Sequence, residues 1–330
     1  MTSTAQTFIP RLSRNRISVA FSLLILAFAL FALYLLLRDV DLAKVVAALE
    51  AQPAHKIALA GVFVVAGYVT LTFYDVFALR TIGWKEVPYP VAALASFTSS
   101  TIGHNLGVTV LTAGLVRLRI YGAWGLTIAD IAKIAVITGM TFWLGNASLL
   151  GGAIAYAPDV ASVVDHLPPW INRTIGLAAL LVVGGYLAWL AAGPRAIGRS
   201  GWRLVLPSLR ATLLQIGIGA ADLSLVTLAM YTLLPSSPAV GFLTILVTFL
   251  TASLLGTLSH APGGLGIIEA TMLLGLPQFQ KEEMVATLLT FRVLYFMLPL
   301  VFAALSLGVR ELRQLARPES AGRNRHNQHD

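Results

Sequence analysis

"SHAPGGLGIIEA", residues 259–270, interrupts one of the most apolar parts of the chain with Pro262-Gly263-Gly264, a histidine (His260) and a carboxylate (Glu269). Proline has no amide hydrogen for a helix interior, and glycine is the next worst residue there, so a helix stops at this point. The surrounding apolar region runs from 239 to 276 and is too long for one crossing. Its first part, 239–259, is long enough to span or nearly span. After the break about ten apolar residues remain, or ~15 Å of helix against a hydrocarbon core of ~30 Å. A piece of that length reaches halfway and has to turn back. Residues 239–276 therefore read as a re-entrant hairpin.

The rest of the sequence agrees with a lipid setting. Of 330 residues, 57% are hydrophobic and 12% charged, where a soluble domain carries roughly 25% charged residues; mean hydropathy is +0.80. Long uncharged runs recur and short alternating segments do not, which selects an all-α polytopic membrane protein over a β-barrel. The absence of cysteine excludes disulfides, thiolate metal sites and thiol nucleophiles. The net charge of +8 comes from arginines beside apolar runs, the habit of loops on the cytoplasmic side, and does not point to nucleic acid.

Six full spans are expected, at 17–37, 57–79, 127–150, 171–192, 208–234 and 284–308. The first follows Arg11, Arg14 and Arg16; it is long enough to cross and lacks a cleavage site, so it reads as a retained helix. "DVDLAKVVAALE", 39–50, gathers Leu42, Val45, Val46 and Leu49 on one face and reads as a short interfacial helix. Region 91–116 repeats the habit of 239–276: a polar middle, "TSSTIGHNLG", then a short apolar run before Arg117. If both regions are hairpins, 16 of the 23 Lys and Arg fall on one side and five on the other, with Lys133 and Arg292 inside spans. If 91–116 crossed, Arg117, Arg119 and the loop of Arg195, Arg199, Arg203 and Arg210 would change sides. The positive-inside rule prefers the hairpins. The expected layout is thus a cytoplasmic segment 1–16, one integral membrane domain 17–308 and a polar cytoplasmic tail 309–330. Both termini would be cytoplasmic. The hairpins enter from opposite faces, and "TIGHNLGV" (101–108) and "TLSHAPGGLGI" (257–267) share Thr-x-x-His and a later Leu-Gly. Opposed broken elements meeting near the midplane are the pattern of an inverted-repeat transporter.

Irregular backbone at membrane depth lines a wet cavity or is buried in protein. Pro262, Gly263, Gly264 and Gly266 therefore either face a cavity or make a packing turn. The half-helix after Gly266 offers free N–H groups and a positive dipole end to a phosphate or carboxylate. Glu269, one turn in, either pairs with Arg292 or meets a headgroup or a proton. Arg117 and Arg119 suit a lipid phosphate, or anchor the loop with Tyr121 and Trp124 as interface aromatics. Asp222 sits mid-span without a local partner. Asp75 lies close enough to its span's end to be solvated. Asp130 and Lys133 should pair at i,i+3. His104, His260 and Asn105 complete the polar set at the tips, the histidines being more often structural than ligands. No metal motif, nucleotide loop or hydrolase elbow occurs, so neither cofactor nor metal is expected and the chain does not read as an enzyme.

"HAPGGLGIIEA" (260–270) resembles the P-G-G-x-G-x-x-E signature of the lysylphosphatidylglycerol synthase transmembrane family. "IGHNLGVTVLTAGLVRLRIYGAWGLTIADIAKI" (102–134) is similar to that family's asparagine- and glycine-rich segment followed by an arginine pair. The resemblance spans essentially 15–310. It implies lipid handling: a flippase for a polar or aminoacylated phospholipid in a bacterial inner membrane. Pro262, Gly263, Gly264, Gly266 and Glu269 match the signature, and Arg117 and Arg119 the pair. The C-terminal synthase domain of full-length relatives has no counterpart here, so synthesis is not implied. The partners to expect are a phospholipid or other polar lipid, with a second copy or a lipid-modifying enzyme as protein partner. A non-transporting accessory or scaffold role and a transporter of a soluble anion are the alternatives.

Overall fold

The structure is a computed structural model that describes residues 41–106, 109–199 and 202–315. The expected first span, 17–37, the segment before it and most of the tail lie outside the described residues. The described part is almost wholly helical, and five of its helices are long and apolar enough to cross a membrane.

In order, α1 (Leu42–Glu50) is capped by Asp41, whose Oδ1 accepts from Ala43 N at 2.9 Å. It is the short amphipathic helix expected, with Val45 buried, and it packs on the later helix α11 (Lys281–Arg292). Then come α2 (Ala54–Thr81), the pair α3 (Tyr89–Leu106) and α4 (Thr109–Tyr121), and α5 (Ile128–Tyr156). Thr127 and Asp130 form a capping box at the head of α5, and Lys133 pairs with Asp130 at 3.5 Å as its spacing required. A short α6 (Pro158–Asp165) leads to α7 (Pro169–Ala191). The arginine-rich loop after it is not structureless. It folds as a two-stranded antiparallel hairpin, β1 (Ala196–Arg199) and β2 (Trp202–Val205), anchored by fully buried Leu204. The remainder is α8 (Leu209–Leu233), the pair α9 (Phe242–Leu258) and α10 (Ile267–Gly275), α11, and α12 (Leu298–Leu315). Between α11 and α12 the last expected span carries a π-helical turn, Val293–Met297, that composition did not foretell.

The central helices approach closely through small residues, the usual device where lipid offers no hydrophobic drive for association. A Cβ on Gly219 would lie 2.4 Å from Thr141 O, and one on Gly145 2.6 Å from Gly219 C. Gln215 reinforces this α5–α8 crossing by donating to Ile137 O and Thr141 Oγ1 at 3.0 and 2.9 Å. Gly219→Leu should therefore lower stability by about 1–3 kcal/mol, the usual cost of overpacking. Gly217→Leu, where an added Cβ meets nothing within 4 Å, should leave it nearly unchanged. Thermal unfolding in detergent separates the two.

Two hydrophobic clusters divide the bundle lengthwise. One gathers Ala60 and Val64 of α2 with Ile245, Phe249, Met272 and Leu276 of the second hairpin. The other gathers Phe77 and Leu79 of α2 with Ala92, Ala95, Ile120 and Tyr121 of the first hairpin. The hairpin bases thus fall in different clusters, which take the two ends of α2. Their tips meet, since the turn Pro262–Gly264 touches α3. The four arms are unequal. At 1.5 Å per residue, α3, α4 and α9 run ~27, ~20 and ~26 Å, while the nine residues of α10 run ~14 Å, half a bilayer core.

Candidate functional site

Where the tips meet there is a cavity of about 290 Å³. Leu71, Phe142, Val226 and Phe249 supply apolar wall. Tyr74, His104, Arg117, Asp222 and Tyr295 supply the groups that can bear or share charge. Gly263 and Gly264 bring backbone to its edge. Both hold positive φ, +58° and +60°, a conformation that strains residues carrying a Cβ. Val110, also on the wall, is 73% exposed, so the cavity opens sideways past α4.

Asp75 is not solvated. It is fully buried and accepts from Arg117 through Nη2 at 2.8 Å and Nε at 3.0 and 3.2 Å. Tyr121 donates to Asp75 Oδ2, which Arg117 Nε also reaches, at 2.7 Å. Tyr121 is thus a buried hydrogen-bond donor and no interface aromatic. The reason is geometric: α4 folds back along α3, which packs on α2, and from there the Arg117 and Tyr121 side chains reach Asp75 near the last turns of α2. Arg117 sits at membrane depth within a neutral, bidentate pair, with one edge on the cavity. Arg119, two residues on and so roughly 200° round the helix, is exposed and off the cavity wall.

At the second tip the chain fills its own anion site. Gly266 N, which the half-helix would offer to a phosphate, donates to Glu269 Oε2 at 2.8 Å. Glu269 Oε1 accepts from Arg292 Nε, and Arg292 Nη1 donates to Gly263 O at 3.2 Å. The guanidinium lies 5.4 Å above the Phe296 ring. Glu269 and Arg292 therefore brace the Pro-Gly-Gly turn, and neither is on the cavity wall. The alternative of an ion pair between them is the one realised, and it takes the charge Glu269 would have offered a headgroup.

The two tip histidines are not equivalent. His104 faces the cavity, stacks on Tyr295 with ring centroids 6.4 Å apart, and has a buried Nδ1 with no partner among the described residues. His260 is exposed, holds φ +56° and bonds its own turn at Leu258 O. Asn105 donates to Phe296 O at 3.3 Å, tying the first tip to the π turn. Asp222 lies near the middle of α8, 7% exposed, with Oδ2 accepting from Tyr74 Oη at 3.0 Å. Tyr74 and Tyr295 carried no signal in the sequence. Asp75 had one: a carboxylate and an arginine both within membrane depth should have been paired.

The chain is 32% identical over 266 residues to the uncharacterized protein slr0712 of Synechocystis sp., covering 78% of this chain and 81% of that protein. It is 31% identical over 245 residues to the inner membrane protein YbhN of Escherichia coli, covering 73% and 75% of the two chains. This protein belongs to the YbhN family. No family model matches the sequence. What the YbhN family shares here runs over about three quarters of either chain, far more than any single motif. The membership therefore concerns the membrane body as a whole, with its polytopic helical architecture.

Proposed function

We propose that this protein is a lipid transporter of a bacterial inner membrane, moving a polar or aminoacylated phospholipid headgroup between leaflets through the cavity at the two tips. The observation that carries the reading is the cavity itself: a charged, mid-depth chamber with an apolar rim open at Val110. At about 290 Å³ it stands at the small end of ligand pockets, which run ~300–1,000 Å³. A headgroup fits such a volume and two acyl chains do not, so the chains would stay in the bilayer outside α4. The signature resemblance of 262–269 supports lipid handling. The E. coli relative, an inner membrane protein by name, supports the membrane, and the arginine distribution supports cytoplasmic termini. Within the site, Asp222 with Tyr74 would meet a cationic or hydroxylated group, and Arg117 with His104 would face the phosphate side. Binding has to stay modest, because a headgroup held tightly would not leave.

Purified full-length protein reconstituted with fluorescent phospholipids should speed leaflet exchange above protein-free vesicles. Failure to exchange any of the anionic, zwitterionic or aminoacylated classes would remove the reading.

A further inference from the structure

We infer that Asp222 is a proton-carrying site, loaded from water in the cavity whenever no headgroup occupies it. The site stands on geometry alone; its use to drive exchange rests on the transport reading above.

Charge bookkeeping around the cavity leads there. Arg117 is neutralised by Asp75, and Arg292 by Glu269. Asp222 forms none of the ion pairs seen among the described residues. The groups facing it can be taken element by element. From α2 come Tyr74, which donates to Oδ2, and Tyr68, whose hydroxyl is given to Tyr295 O at 2.9 Å. On the α2 side of Oδ1 stands Gly67, where even an added Cβ would be 3.9 Å away. From α3 and α4 come His104 and Arg117, and from the π turn Tyr295. From α5 and α9 the cavity receives Thr138, Ser253 and Thr257, which are neutral. Among the described residues the empty cavity thus keeps one uncompensated negative charge near the middle of a spanning helix.

A bare carboxylate at that depth is costly, so the empty state needs a cation. Hard metal cations want six or more oxygen ligands, and among the described residues the Tyr74 hydroxyl is the one protein oxygen hydrogen-bonded to this carboxylate. A proton needs only one oxygen. Taken from water in the cavity, it forms an O–H bond at Oδ1 and leaves hydroxide or a deprotonated buffer behind. The wall charge goes from −1 to zero and the Tyr74 bond is kept. Release to the opposite side would then be coupled to headgroup exchange, which imposes a pH dependence on the rate.

Infrared titration of the full chain in nanodiscs tests the site, and exchange of fluorescent phosphatidylethanolamine in proteoliposomes tests its use. Near neutral pH the wild type should show a carboxylic-acid carbonyl band that Asp222→Asn removes without lowering the melting temperature. Tyr74→Phe should keep the band and move its titration midpoint. An imposed pH gradient should change wild-type exchange several-fold and leave Asp222→Asn unmoved. A wild-type spectrum without a band that depends on Asp222 overturns the site, whatever the exchange assay shows. A band with gradient-independent exchange overturns the coupling. A band with no lipid exchange of any class sustains the proton site and defeats the transport reading. Should Asp222→Asn not fold, the Tyr74→Phe shift decides.

Discussion

Arg117→Ala should cost this protein about 3–5 kcal/mol of stability, the usual penalty for stripping one partner from a buried ion pair. Both side chains are at least nine-tenths buried and joined through two guanidinium nitrogens, so little of that figure is screened away. What remains is a fully buried Asp75 with Tyr121 as its one donor among the described residues. The double replacement Asp75→Leu with Arg117→Met should recover most of the loss, since swapping a whole buried pair for apolar residues is often neutral. Thermal unfolding of the three proteins in one detergent gives the coupling directly. If Arg117→Ala unfolds like wild type but loses lipid exchange, Arg117 serves the headgroup first and the fold second. The geometry expects both to fall together, with exchange lost because the first hairpin no longer closes on α2.

Glu269→Ala should be the other large loss. It removes the acceptor of Gly266 N and the counter-charge of Arg292 in one step. With 12% and 16% of the two side chains exposed, about 2–3 kcal/mol is expected, below the range for full burial. Glu269→Gln keeps an oxygen for Gly266 N and gives up only the charge, so it should cost less than half as much. Exchange should follow stability through this series. A Glu269→Gln protein with wild-type melting and no exchange would show that the carboxylate meets the headgroup itself.

These two pairs also mark where reading the chain stops. The spans and the short half-helix were legible because length, polarity and a Pro-Gly-Gly break act locally. The pairing of Asp130 with Lys133 was legible because three residues on a helix are neighbours. Asp75 and Arg117 are 42 positions apart, and Tyr74 and Asp222 148 apart; such partners are chosen by packing, which no local pattern encodes. The same holds for β1–β2, where a loop full of arginines folds because Leu204 finds a buried place. The phosphate-ready helix start at Gly266 looked vacant for a complementary reason. Its occupant was already in the motif, three residues downstream.

The π turn at 293–297 has one more effect. A turn of this kind holds one residue more than its α-helical equivalent, so every side chain after it points about 100° away from its azimuth in an unbroken helix. Ala303, wholly enclosed, owes its inward aim to that offset. Meanwhile the carbonyls of Tyr295 and Phe296 are clasped by Tyr68 and Asn105. The last helix is thereby keyed, like a lock cylinder, to a single angular setting by two neighbouring helices.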